Sequence, residues 1–376
     1  MAALSDAGGT SVSFLSGAFT PEWLYWEGRL LHRPTLILRE GIPQAVLSTP
    51  LSESIYLPGL LSPAWVNAHT HIELCHLRGK LSQGRGMVDF FSRMGPQRGV
   101  ASVEEIVYAL QQAAAEGTWS FVSHQNVWLP VEGVAGGIEC RFLGEYFGLR
   151  LRGSRKRFYS IRRLGYPLTP HSFYALSRPL LRQGRRFTPF PRSIHFWESW
   201  EERLWLERAG GPFRFYFRLF TSRPRPPKWK YWLAQWARRA PAIWLIHATE
   251  APPDLVDGLS RKIPNVYFVL CPEANTYLFR RRPILQFWRK YRGRLLLGTD
   301  SLANAPSLSV WFPLRRLLLA GFSWEEVLQA VVDTPRQWLS PPPHWVYVSP
   351  LGPGASLLPH TKPQTLSAEV IGGGYK

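Results

Sequence analysis

Short apolar runs that end in a histidine, an aspartate or another polar residue recur along this chain and alternate with helix-like stretches. That alternation constrains the fold more than any other feature. The run Ala64 to Ala68 ends at His69, Ile243 to Ile246 ends at His247, Leu295 to Leu297 leads through Gly298 and Thr299 to Asp300, and further strand candidates end at His195 and Cys271. Between them lie segments of helical character. Val103 to Glu116 has an acidic start and a Gly117 stop and is followed by apolar Trp119 to Ser123, while Trp324 to Val332 reads as a helix after the last strand. Strands alternating with helices predict parallel βα units, and polar residues at strand ends are where a barrel collects its functional groups.

The flanks have a different texture. Residues 12 to 56 hold short β-branched stretches such as Thr35 to Leu38 and Ala45 to Ser48, broken by Gly, Pro and charge. From Pro341 the chain is rich in Pro, Gly and Ser, with one strand candidate at Trp345 to Ser349. The expected architecture is α/β: a distorted (β/α)8 TIM barrel over residues 58–340, with a small β-sandwich domain assembled from 1–57 and 341–376. At 376 residues, with 45% hydrophobic and 14% aromatic content, the chain can bury such a core. No repeat with a solenoid-like period is present, and Arg223 to Pro227 reads as a loop.

Composition narrows the function classes. No run of about 18 uncharged apolar residues occurs and no secretory signal opens the chain, so a membrane span is not expected. Cys75, Cys140 and Cys271 are odd in number and widely spaced, which predicts neither a disulfide framework nor a cysteine zinc site and suits a reducing cytoplasm. Lys and Arg total 45 against 26 Asp and Glu, a formal charge of +19 that favours anionic partners. The basic residues are scattered over Arg152 to Arg163, Arg182 to Arg186, Arg223 to Lys230 and Arg280 to Arg282, without a nucleic-acid-binding motif. A small-molecule substrate is therefore expected rather than nucleic acid, and a homo-oligomer stays open.

The sharpest local feature is Asn67-Ala68-His69-Thr70-His71. Residues separated by one lie on the same face of a strand, so two imidazoles can reach one metal. His195 has Glu198 three residues later, a pairing that suits a metal ligand and a proton shuttle. Each of these residues also has a plainer reading. Glu198 beside Glu201 and Glu202 reads as a solvated acid, His247 as a hydrogen-bonded structural histidine, and Asp300 as a helix cap. Company changes the weights, since four strand ends supply five metal-compatible groups.

Five segments then carry a resemblance. They are Pro58-Gly59-Leu60-Leu61 with Val66-Asn67-Ala68-His69-Thr70-His71, Thr169-Pro170-His171-Ser172-Phe173-Tyr174, Ser193-Ile194-His195-Phe196-Trp197-Glu198, and Leu297-Gly298-Thr299-Asp300-Ser301-Leu302-Ala303-Asn304. In content and order they resemble the adenosine-deaminase-like and chlorohydrolase-like aminohydrolases of the amidohydrolase superfamily, from about Pro58 to Leu339. The resemblance implies one divalent metal, Zn²⁺ first and Fe²⁺ or Mn²⁺ as alternatives, held by His69, His71, His195 and Asp300. It makes Glu198 the proton shuttle, His247 a catalytic histidine that does not bind metal strongly, Asp300 a catalytic group as well as a ligand, and His171 a substrate contact. No lysine stands at a fourth-strand position, which argues against the two-metal members.

Several positions depart from the resemblance or add to it. The interval from His195 to His247 is unusually rich in Arg, Trp and Pro. His124 is expected to be structural or part of the pocket wall, because the superfamily pattern has no ligand there. Cys271-Pro272-Glu273-Ala274-Asn275 resembles a Cys-Pro-x-x-Asn segment that shapes the pocket, and Glu73, Cys75 and His76 have no assignment. The implied activity is hydrolytic deamination of an amino-substituted heterocycle, a purine or purine-nucleoside derivative first, with aminofutalosine, S-adenosylhomocysteine and guanine deaminases as similar enzymes. Hydrolysis of an amide or of a ring-bound chlorine could use the same residues. A basic nucleic-acid-binding scaffold without catalysis is the alternative of another class.

Overall fold

Strands β1 (Gly17–Trp26), β2 (Arg29–His32), β3 (Thr35–Arg39), β4 (Ile42–Leu47) and β5 (Ile55–Pro63) open the chain. Eight more follow: β6 (Trp65–Thr70), β7 (Thr118–Gln125), β8 (Glu139–Tyr146), β9 (Leu168–Pro170), β10 (Arg192–Phe196), β11 (Ile243–His247), β12 (Val266–Leu270) and β13 (Leu295–Leu297). β14 (Trp345–Val348) and β15 (Pro363–Thr365) complete the set. This computed structural model describes residues 15–97, 99–130, 136–149, 151–220, 224–280, 283–349 and 363–365. Arg223, Arg281 and Arg282 of the basic runs lie outside these residues, as do 1–14 and most of the Pro-rich tail.

The middle eight strands form two parallel sheets of four, β6-β7-β8-β9 and β10-β11-β12-β13. Parallel bridges at Thr70–Asp300 and Ser172–His195 join the two half-barrels at both seams. The arrangement is TIM-barrel-like. Helices cover its strands, so every residue of β6, β7, β10, β11 and β13 is buried. Burial on both faces is why these strands read as nearly continuous apolar runs.

Local signals set the connections. Helix Val103–Ala115 starts at Ser102 and Glu105, which satisfy each other's backbone N–H groups in a capping box. It stops at Gly117, whose φ of +93° and closeness to Val346, 2.7 Å from an added Cβ, leave no room for a side chain. The Arg- and Trp-rich interval between β10 and β11 folds into helices Trp200–Arg208, Pro212–Arg218 and Trp229–Ala237. They bury Trp205, Trp229, Trp232 and Trp236.

Strands from both chain ends share one sheet, in the order β15-β14-β5-β1-β3-β4 with β2 added on β1. β5 runs parallel to β1 and antiparallel to β14, so the N-terminal hairpins and the C-terminal strand are mutually dependent. Trp345 Nε1 donates to the Gly41 carbonyl at 2.9 Å. The buried Tyr25 hydroxyl donates to Asp333, which follows the last barrel strand and ties the sheet to the barrel. Tyr25→Phe removes that donor from a half-buried carboxylate and is expected to cost about 1–3 kcal/mol of stability, read from denaturant unfolding.

Candidate active site

Three strand ends turn sharply where the barrel opens. Trp197, His247, Ala248 and Asp300 all have left-handed backbones, with φ of 49°, 68°, 49° and 66°. Non-glycine residues rarely adopt such angles, and strain of this kind persists where the surrounding structure holds it in place. At Asp300 the holding groups are visible. Thr299 N and Asp300 N donate to the His69 carbonyl at 3.0 and 3.1 Å, and His71 N donates to the Asp300 carbonyl at 2.7 Å.

These turns bring all of the expected site residues to one place. A nitrogen from each of His69, His195 and His247 and a carboxylate oxygen of Asp300 lie within 4.8 Å of one another. His71 Nε2 stands 3.6 Å from the Asp300 oxygen Oδ1 that is 3.5 Å from His69 Nε2. His247 thus sits in the tightest cluster, while His71 joins it through Asp300 and also groups with Glu145 and His195. The second Asp300 oxygen, Oδ2, accepts from Asn304 Nδ2.

Each ring is turned by a bond on its far nitrogen. His71 Nδ1 meets the His124 carbonyl at 3.2 Å, His195 Nδ1 the His171 carbonyl at 3.0 Å, and His247 Nδ1 the Asn275 Oδ1 at 3.4 Å. His69 Nδ1 lies 2.9 Å from His124 Nδ1. Outer bonds of this kind orient metal-binding imidazoles. Among the described residues, Nε2 of His69 and of His247 is buried without a hydrogen-bond partner, a costly state for a polar atom unless something else satisfies it. Imidazole nitrogens and one carboxylate suit a divalent metal.

Glu198 is buried beside the cluster, with Oε1 3.5 Å from His247 Nε2. Its own N–H donates to Glu202 at 2.9 Å, and Asn275 Nδ2 donates to its carbonyl at 3.3 Å. Burial, then the negative Asp300 and Glu202, pushes its carboxyl well above the usual range, so it favours holding a proton. Burial pushes Glu202 up to about 8 as well. Asn275 therefore positions two site residues, a more specific task than shaping the pocket.

His171 is anchored by Glu145, whose Oε1 accepts from Nδ1 at 2.9 Å, and its Nε2 lies 3.3 Å from the Tyr174 hydroxyl. Burial opposes the charge of Glu145, yet His171, His71 and His195 together hold its carboxyl well below the usual range. Glu145 went unrecognised in the sequence because β8 ends in Gly144-Glu145-Tyr146 without a histidine or motif beside it. Glu73 is buried 3.7 Å from His71 Nδ1. His76 bonds backbone carbonyls of Glu73 and Gln97. The buried Cys75 thiol is pushed up to about 12, mainly by burial, and does no chemistry as a thiolate near neutral pH.

The cluster adjoins a cavity of 740 Å³ whose walls are largely apolar, with Met87, Phe90, Phe91, Tyr174, Tyr216 and Phe217 among them. His71, His171, His195, Glu198 and Asp300 all line it, and Lys156 and Arg157 stand at its edge. Arg157 lies over the Phe147 ring at 4.3 Å.

With this geometry in hand, comparison with known proteins is informative. The Helicobacter pylori aminofutalosine deaminase structure in complex with methylthio-coformycin superposes with a TM-score of 0.73, covering 92% of this chain and 97% of that one at 16% identity. The chain shares the fold of amidohydrolase-superfamily aminohydrolases. A zinc-bound Xanthomonas campestris adenosine deaminase gives a TM-score of 0.64 over 92% of this chain and 89% of that one, at 17% identity. By sequence, a Helicobacter pylori adenosine deaminase is 21% identical over 294 residues, 72% of this chain and 70% of that protein. No family model matches. The resemblance read from the motifs is thus borne out, and the similar proteins include deaminases, as the sequence implied. No described helix is long and apolar enough to cross a membrane.

Gly298 tests the geometry. An added Cβ would come within 2.9 Å of His69 Cβ and 3.0 Å of the His69 carbonyl oxygen. Gly298→Ala must displace the seam that holds His69 against Asp300, and is expected to weaken divalent-metal binding at least about tenfold in chelator competition.

Proposed function

We propose that this chain is a metal-dependent aminohydrolase that removes an exocyclic amino group from a purine or purine-nucleoside derivative. One Zn²⁺ would be held by His69, His71, His195 and Asp300. The observation that carries the reading is the buried convergence of histidine nitrogens on one Asp300 carboxylate, with Nε2 of His69 without a hydrogen-bond partner among the described residues. A divalent metal there supplies Lewis-acid activation of water near neutral pH.

The chain's own groups have distinct tasks in this reading. Glu198, raised by burial and facing the cavity, carries the proton to the ring nitrogen and the leaving amine. His247, held by Asn275 and 3.5 Å from Glu198, orients the attacking water and the developing tetrahedral centre. Asp300 accepts a hydrogen bond from that water, whose proton Glu198 takes up, while Asn304 holds its other oxygen. His171, its Nδ1 donating to Glu145, presents Nε2 to the substrate ring. Aromatic walls suit a flat heterocycle, and Lys156 and Arg157 favour a substituent bearing a carboxylate.

The same proposal assigns residues 58–340 to the catalytic unit, read as a closed if distorted (β/α)8 barrel, and 1–57 with 341–376 to an accessory β-sandwich. Joint pairing of β1, β5 and β14 supports a common terminal unit. The free thiols of Cys75 and Cys271 fit a cytoplasmic setting.

The deciding experiment is a screen of amino-heterocycles for ammonia release, with metal-loaded and metal-stripped protein. Stoichiometric metal, its loss in His69→Ala and Asp300→Ala, and metal-dependent ammonia release are expected. Glu198→Gln should keep its metal while turnover falls at least about a hundredfold. Unchanged turnover would remove Glu198 from the mechanism, and release of chloride or an amine in place of ammonia would redirect the reading to the other hydrolases. Lys156→Gln with Arg157→Gln should raise KM for carboxylate-bearing substrates and leave uncharged ones unaffected.

A further inference from the structure

His124 is a fully buried residue of β7 that touches two of the site histidines, its carbonyl meeting His71 and its ring meeting His69. We propose that His124 is a positioning residue that sets the tautomer of His69, through a directed chain of hydrogen bonds crossing the barrel interior. This rests on the reading of His69 as a metal ligand.

The direction follows from counting protons. Thr169 Oγ1 donates its one proton to the Ser193 carbonyl at 2.6 Å, so toward the Ser193 hydroxyl, 3.3 Å away, it can only accept. In the proposed chain the Ser193 hydroxyl donates to Thr169, its available acceptor there, and Ser193 Oγ accepts from a His124 Nε2–H. A neutral imidazole protonated on Nε2 has a bare Nδ1. That atom lies 2.9 Å from His69 Nδ1 and accepts its proton. His69 is left with its lone pair on Nε2, the atom nearest Asp300 and without a hydrogen bond among the described residues.

All four residues of this chain are buried, with His69, His124 and Ser193 fully so. Water cannot supply the protons in their place. Partners that fix a ligand's tautomer typically govern metal affinity by about 10- to 100-fold. The Ser193 and Thr169 side chains thus act on the site from β10 and β9 without facing it.

The test compares His124→Phe, which fills the space without accepting a proton, with His124→Asn, whose amide oxygen stands near the place of Nδ1. Zn²⁺ affinity is read by chelator competition, and the His69 tautomer by long-range proton–nitrogen spectra of metal-free protein. His124→Phe is expected to lose about 10- to 100-fold in affinity and to release the proton from His69 Nδ1, while His124→Asn stays within about threefold of the parent. The reverse order, or a folded His124→Phe with parental affinity and tautomer, overturns the proposal. Should His124→Phe fail to fold, Ser193→Ala decides: a weakened affinity and mixed His69 tautomers support the chain, and parental values overturn it. A parent protein that binds no zinc defeats the metal reading instead, and the His69 tautomer of metal-free protein still judges this one.

Discussion

The site depends on the backbone seam between the first and last barrel strands. The His69 carbonyl accepts from both Thr299 and Asp300, and the Asp300 carbonyl accepts from His71, so residues about 230 positions apart are locked within one turn of chain. Side chains alone could not do this. A carboxylate among three imidazoles needs its distances set by something stiffer than its own rotamers, and main-chain hydrogen bonds in a buried sheet are the stiffest connection available. Gly298 lets the two strands approach this closely, since any Cβ there would meet the His69 backbone. The left-handed turn at Asp300 then aims the carboxylate inward.

Much of this was legible in the sequence because burial on both faces makes barrel strands apolar throughout. Ile243 to Ile246 and Leu295 to Leu297 stood out for that reason, and the polar residues ending them marked the open end of the barrel. Helix Val103–Ala115 was legible through its acidic start and its glycine stop. The short pattern His69-Thr70-His71 worked because alternation along a strand is a local rule. Glu145 and the His124 chain were not legible for the opposite reason. Their meaning lies in contacts between strands that are distant in sequence, such as Thr169 with Ser193 or His124 with His69, and no local spacing encodes those. The Arg- and Trp-rich interval was opaque as well, because three short helices held by tryptophan packing have little periodicity to read.

The overall charge of +19 describes the surface and misdescribes the interior. Seven acids are buried among the described residues, and six of them, Glu73, Glu145, Glu198, Glu201, Glu202 and Asp300, surround the site, whereas Arg192 is the only buried Lys or Arg. Six buried carboxylates around one site cannot all be ionised without compensation. They divide the problem. Glu145 and Asp300, placed against histidines, are held in the charged form, while burial pushes Glu198, Glu201 and Glu202 toward the protonated one. Two charge states thus coexist within a few ångströms because the neighbours differ.

That division bears on which carboxylate can do which task. Asp300 has histidines on one oxygen and Asn304 on the other, so its charge is fully engaged and its oxygens are fixed, as a ligand requires. Glu198 has one histidine near Oε1 and negative neighbours beyond, and its main-chain bonds to Glu202 and Asn275 hold the backbone while leaving the carboxyl group without a strong ionic partner. A carboxyl so placed favours holding its proton, because burial raises it and no cationic partner offsets that. In the proposed mechanism the acid that would hold a cation has paired charge and the one that would pass a proton lacks it, so the asymmetry of their neighbours matches the two proposed roles.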